Sequence, residues 1–200
     1  MNFREVSVLL DFSISRWYAR KLDKEETHKL NETHDSGEAA RVTKDVLGGQ
    51  CASYNKLNSF LNSLAIKNNE FCLQWSRGVR LLPLTMLEEH KAWIAACTNE
   101  LSNLVEDFII DYENARENAR VQLNGMFRES DYPNIQTLRE KFKLTAVYMP
   151  TPSVASNKLD EQTRKMLDSN TDNIVQGAMQ GAWQKLYDVV AHLQTRLATP

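Results

Sequence analysis

"TMLEEHKAWIAACTNELSNLVEDFIIDYENARENARVQLNGMF", Thr85–Phe127, is the stretch on which the fold turns. Leu87, Ile94, Cys97, Leu101, Leu104, Phe108, Tyr112, Ala115, Ala119, Leu123 and Met126 recur mostly every three or four positions, with one interval of seven. A side chain returns to the same side of an α-helix every 3.6 residues, so this spacing lays one apolar stripe along a single helix. At 1.5 Å per residue, some forty residues span roughly 60 Å, more than the width of a small domain. Such a helix bends, breaks, or packs along another long helix. Gly125 marks its end.

A second long pattern supplies that neighbour. From Leu159 to Leu197 the stripe is Leu159, Met166 or Leu167, Ile174, Ala178, Leu186, Val190, Leu193 and Leu197, with "NTDNIVQG" (170–177) as an interruption. Two long amphipathic helices predict an antiparallel pair or a coiled coil. A shorter helix is expected over Ala52–Phe71, where Leu57, Phe60, Leu61 and Leu64 share one side. Another is expected over Asp131–Phe142, with Pro133 in its first turn.

Period-two alternation picks out two strands. Val6, Val8, Leu10, Phe12 and Ile14 alternate with their neighbours over residues 5–14, and Leu144, Ala146 and Tyr148 do so over 143–149, before Pro150 and Pro152. A lone strand leaves its backbone unpaired, so the two are expected to join in a small antiparallel sheet. The fold class is therefore α+β and predominantly helical: one helix-rich domain over residues 1–200. Residues 22–45 are polar with few large apolar anchors. They read as a loop or a loosely held helix, a mobile segment.

The totals exclude several classes of function. The formal net charge is −2, from 24 basic and 26 acidic residues, which argues against coating nucleic acid by charge alone. No apolar run approaches the ~20 residues needed to span a bilayer. The N-terminus carries Glu5 and Asp11 and lacks a basic leader, so it reads as structure rather than a secretory signal. Cys51, Cys72 and Cys97 are odd in number and widely spaced, which fits a reducing cytoplasm.

Candidate sites are few. In "SRGVRLLPLT" (76–85), Gly78 permits tight backbone geometry, and Arg77 and Arg80 suit a bidentate grip on phosphate or carboxylate. Thr85 would cap the next helix, whose N-terminal amides also favour an anion. The simpler reading makes the stretch a helix entry fixed by Pro83 and Thr85. Leu81 and Leu82 then fill the core and Arg80 pairs with an internal carboxylate. In "SRWYARK" (15–21), Trp17 and Tyr18 suit base stacking, and Arg16, Arg20 and Lys21 suit phosphates. The competing reading packs Trp17 beneath the sheet. Glu89 and His90, like His28 and His34 among their acidic neighbours, read as solvated faces rather than metal ligands. The charged run 111–120 reads as a solvent-facing helix side or the flank of a coiled coil. No P-loop, zincin or nucleophile-elbow pattern occurs, so no catalytic residue, metal or cofactor is assigned.

"GVRLLP" (78–83), "ARENARVQLNGMFRESDYP" (115–133), "LREKF" (138–142) and "YMPTP" (148–152), with "SISRWYARKLDK" (13–24), occur in the order seen in one family. The chain resembles an uncharacterised family of phage and prophage proteins, a domain of unknown function. Its genes often lie near a MoxR-type AAA+ ATPase and a protein with a von Willebrand A domain. The resemblance spans most of the chain, which ends sooner than family members do, as a short or truncated one would. It implies a bacteriophage origin and a helix-rich fold, and transfers no catalytic residues.

The resulting expectation is a non-enzymatic protein of the host-cell cytoplasm, away from membranes. It would act by protein–protein interaction through long amphipathic helices. Partners would be the phage ATPase or A-domain protein, a host protein, or a second copy by self-association. The alternatives are a nucleic-acid-associated phage factor using residues 15–21, or an inhibitor of a host enzyme.

Overall fold

The computed structural model describes residues 3–151 and 160–197. In chain order its elements are α1 (Phe3–Val6), β1 (Ser7–Ser15), β2 (Arg20–Leu22), α2 (Lys24–Thr33), β3 (Thr43–Asp45) and α3 (Ala52–Phe71). There follow β4 (Leu73–Ser76), β5 (Val79–Pro83), α4 (Leu87–Leu123), α5 (Ile135–Lys141), β6 (Lys143–Pro150) and α6 (Glu161–Leu197). The fold is α+β and mainly helical, with a small four-stranded antiparallel sheet. Two compact units divide the chain. One comprises segments 1–13, 64–95 and 145–200, the other 14–63 and 96–144.

The second unit is built on the α4 stripe. Cys97, Leu101, Leu104, Phe108, Tyr112, Ala115 and Ala119 are all buried, as the spacing predicts. The α3 side chains Leu57 and Leu61 are buried too. Aromatic rings fill the centre: Trp17 lies 5.8 Å from Tyr54, 6.3 Å from Phe108 and 6.2 Å from Tyr112, centroid to centroid. Their polar tips are satisfied, as buried tyrosines require. Tyr54 Oη accepts from the Ala19 amide at 2.9 Å, and Tyr112 Oη donates to the Pro133 carbonyl at 3.0 Å.

Residues 22–45, expected as a loop or loosely held helix, contain α2 between the paired strands β2 and β3. Asp23 caps α2, its Oδ1 accepting from the Glu26 amide at 3.1 Å. Beyond the helix the chain is tied by Asn31. Its Oδ1 accepts from Ser36 Oγ at 2.7 Å and the Ala40 amide at 3.1 Å, and its Nδ2 donates to the Ala40 carbonyl at 3.0 Å. Polar bonds do the anchoring that apolar residues would otherwise do.

In the first unit the sheet order is β4-β5-β1-β6. β1 therefore lies beside β6, as expected, and also beside β5, which was not. It begins at Ser7 rather than Glu5. The register ends with Ser7 opposite Pro83, whose ring offers no amide to extend the ladder. Leu10, Leu82, Phe71 and Cys72 form the core here, with Phe12, Trp93 and Tyr148 packed against them.

The stretch 76–85 is more than a helix entry. It is the turn and second strand of a hairpin joining β4 to β5. Gly78 takes φ +85°, a left-handed backbone that favours glycine, and makes the turn. Thr85 lies in a 3-10 turn, Leu84–Met86, whose cap is Pro83, so Thr85 is not the N-cap of α4. α6 runs without a break through "NTDNIVQG". Leu159 and Pro152 lie outside the described residues, as does the Leu167 side chain.

Candidate functional site

α6 is where the sequence's apolar pattern and its burial part company. Its packing partner is β4, and the side that meets the unit carries the small residues Gly177, Ala178, Gly181 and Ala182, together with Ile174, Lys185, Asp188 and Val189. Ala178 is buried. Between α6 and the strands lies an open groove of about 1210 Å³, lined by Cys72, Trp75, Arg80 and Lys185 among others. Most of the large apolar residues of α6 lie elsewhere. Met179, Trp183, Leu186, Val190, Leu193 and Leu197 are between 44% and 85% exposed.

Arg80 faces the groove and is half-buried. The internal ion pair expected for it is not formed: among the described residues no carboxylate bonds its guanidinium. Strand alternation puts Arg80 on the same side of the sheet as Leu82 and as Leu10, its register partner, and next to the hairpin turn its side chain leaves that core for the groove. Arg77, at the hairpin turn, is exposed. Lys185 also lines the groove and donates to the Asn69 carbonyl at 3.3 Å. Burial pushes the Cys72 thiol up to about 11, against the opposing pull of Arg80 and Lys185. It is a protonated thiol near neutral pH, not a nucleophile.

His90 is fully buried, a correction to its reading as a solvated face. Its Nε2 lies 2.9 Å from Asn68 Oδ1 and its Nδ1 2.8 Å from Tyr148 Oη, under the rings of Phe71 and Trp93. Nε2 donates to the amide oxygen and Nδ1 accepts from the phenol, which makes the ring neutral. Burial lowers its pKa accordingly. Both nitrogens are engaged, so the imidazole is a core polar link.

The basic-aromatic segment is split between core and surface. Trp17 is enclosed and offers no stacking platform. Arg16 donates to Asn62 Oδ1 at 2.8 Å and lies against the Tyr18 ring, 5.9 Å from its centroid. Lys21 sits 5.6 Å from the Trp17 centroid. Tyr18 and Arg20 remain exposed. In the charged run, Arg116 bridges Glu113 at 3.0 Å and Glu129 at 2.7 Å, and Arg120 also reaches Glu129 at 2.5 Å. These pairs pin the 3-10 turn Glu129–Asp131 to the last turns of α4.

Sequence reading missed Lys44 altogether. Its buried Nζ lies 3.0 Å from Asp23 Oδ2 and 3.0 Å from Asp131 Oδ2, and donates to the Met126 carbonyl at 2.6 Å. Burial works against the charge, yet the two carboxylates hold its pKa above the ordinary lysine value. The Asp23 carboxyl is lowered, first by the Glu26 amide and then by Lys44. The three charges come from far-apart positions, and no local pattern joins them.

Among the described residues, no three His, Cys, Asp or Glu side chains are placed to hold a metal ion, and no helix is long and apolar enough to cross a membrane. No protein-family model matches the chain, and neither does any curated protein or solved structure compared with it.

Proposed function

We propose that this is a non-enzymatic protein that works by protein–protein contact through the apolar side of α6. The observation that carries the reading is the inversion of that helix: mainly small and polar residues against its own unit, six large apolar residues in solvent. Scattered apolar residues are normal on a surface, but a continuous stripe along one helix marks an interaction site. The titratable groups support the same reading. His90 and Lys44 are committed to structural bonds and the Cys72 thiol is protonated. The enclosure of Trp17 weighs against the nucleic-acid alternative. Three free, buried cysteines fit a reducing compartment, the host-cell cytoplasm. The resemblance to phage and prophage proteins sets the contact beside a MoxR-type ATPase and an A-domain protein.

The test is a photo-cross-linking amino acid at position 183, with the tagged full chain expressed in infected host cells. Protein adducts are expected there, and none from the same probe at exposed Gln184, on the other side of the helix. Equal yields from both positions, or no adduct at 183, would remove α6 as the working surface.

A further inference from the structure

The six exposed residues fall at intervals of four, three, four, three and four. This is the heptad of a coiled coil, in which alternating a and d positions form the seam. Trp183, Val190 and Leu197 take the a positions, and Met179, Leu186 and Leu193 the d positions. The groove-lining residues Gly177, Ala178, Gly181, Lys185 and Asp188 occupy b, c and f, opposite the seam, while Ala182 and Val189 line the groove from g, at the seam's flank. The helix is thus docked by what is normally the outer side of a coiled coil, and its seam points away. From residue 183 to 190 every side chain is exposed. A helix with so little tertiary support is marginal in water, which makes a covering partner the stable state.

Charge selects the occupant. Heteromeric coiled coils choose partners through opposite charges at the e and g positions beside the seam. Here e is Gln180, Tyr187 and Gln194, and g is Ala182, Val189 and Arg196. One charge among six neither attracts a complementary helix nor repels an identical one. The seam residues with Tyr187 and Val189 carry exposed area on the order of 1,000 Å², against the ~800 Å² per partner of a standard interface.

Residue size selects the direction. In a parallel pair Trp183 meets Trp183 of the other copy at one a layer. In an antiparallel pair, a meets d. Centring the two copies on residue 188 sets Trp183 against Leu193, Leu186 against Val190 and Met179 against Leu197, so every layer joins unlike shapes. Arg196 then faces Ala182, and the copies' Tyr187 side chains flank the two-fold axis. We infer that the α6 seam is filled by α6 of a second copy of this chain, in an antiparallel two-fold pair centred on residue 188. This rests on the reading of α6 as the contact surface.

Sedimentation equilibrium of the purified full chain at micromolar concentration tests it. The expected mass is twice 23.0 kDa. Leu186→Glu with Leu193→Glu should weaken the dimer at least about 100-fold, each buried charge costing several kcal/mol. Both positions are exposed in the single chain, so the variant's melting and circular dichroism at sub-dissociation concentration should match the parent's. Orientation is read by mixing Met179→Cys chains with Leu197→Cys chains and a short bismaleimide, which joins the unlike chains only when the two helices run antiparallel. A monomeric parent, or a double variant that dimerises as the parent does, overturns the inference. So does a dimer in which the mixed Met179→Cys and Leu197→Cys chains give no cross-linked pair, since that removes the antiparallel pairing. A monomeric chain whose position-183 probe captures another protein overturns self-pairing and leaves the contact role standing.

Discussion

The neutral imidazole of His90 ties stability to pH in a direction that follows from its burial. Its folded pKa lies below the ordinary value, whereas in the unfolded chain it titrates near 6.5. Below about pH 6.5 the unfolded chain takes up a proton that the folded chain refuses. The stabilisation is present in full above that pH and declines as pH falls towards the folded value, by at most about 1.4 kcal/mol per pH unit. Urea midpoints between pH 8 and 5 should show this slope, and His90→Gln should flatten it; an unchanged slope would assign it to other groups. Lys44 makes a different kind of contribution. Lys44→Met leaves Asp23 and the mostly buried Asp131 facing each other without a cation, at a cost of about 3–5 kcal/mol in denaturant unfolding. Phe108→Ala empties the middle of the aromatic cluster and should cost about 3–5 kcal/mol. A loss below about half a kcal/mol would mean that the cluster is not a core.

At the scale of elements, the hairpin turn offers a clean substitution. A Cβ at Gly78 meets nothing within 4 Å, so Gly78→Ala tests backbone strain alone. Its left-handed φ predicts a loss of about 1 kcal/mol, read as a lowered melting temperature. Gly78→Asn, which tolerates that region better, should lose less. This hairpin also shows where sequence periodicity stops being informative. α3 and α4 are legible because their stripes run over many turns. β4 and β5 are four and five residues long, and Leu81 and Leu82 are both buried although they are adjacent. A strand buried on both sides has no alternation to detect. The extra residue Trp75, which puts Ser76 opposite Val79 and Gln74 opposite Arg80, breaks the pattern further. α6 was half legible. Leu186, Val190, Leu193 and Leu197 belong to its sequence stripe, but placing that stripe with Ala178 merged two opposite sides of the helix. Met179 and Trp183 were thereby lost from it. Composition carries no mark of which side of a helix its own fold will use.

At the scale of the molecule, the three thiols are a collective probe of the fold. Cys51, Cys72 and Cys97 are buried, and burial raises the pKa of Cys72 and Cys97. A thiol reagent at pH 7.5 should label the native chain slowly and all three cysteines once denaturant is added. Rapid labelling of the native chain would contradict the packing of both units. The order of the strands also has a consequence for biosynthesis. β1 leaves the ribosome first among the sheet strands and sits between β5 and β6. One of its edges is covered once the nascent chain passes Pro83, but the other waits until Pro150 has emerged. Throughout that interval an apolar strand with unpaired amides and carbonyls is a template for intermolecular pairing. Translation arrested between these points should therefore yield insoluble fragments. The vulnerable phase of this protein's life is the synthesis of α4, when the longest helix of the second unit is being made and the sheet of the first still lacks its last strand.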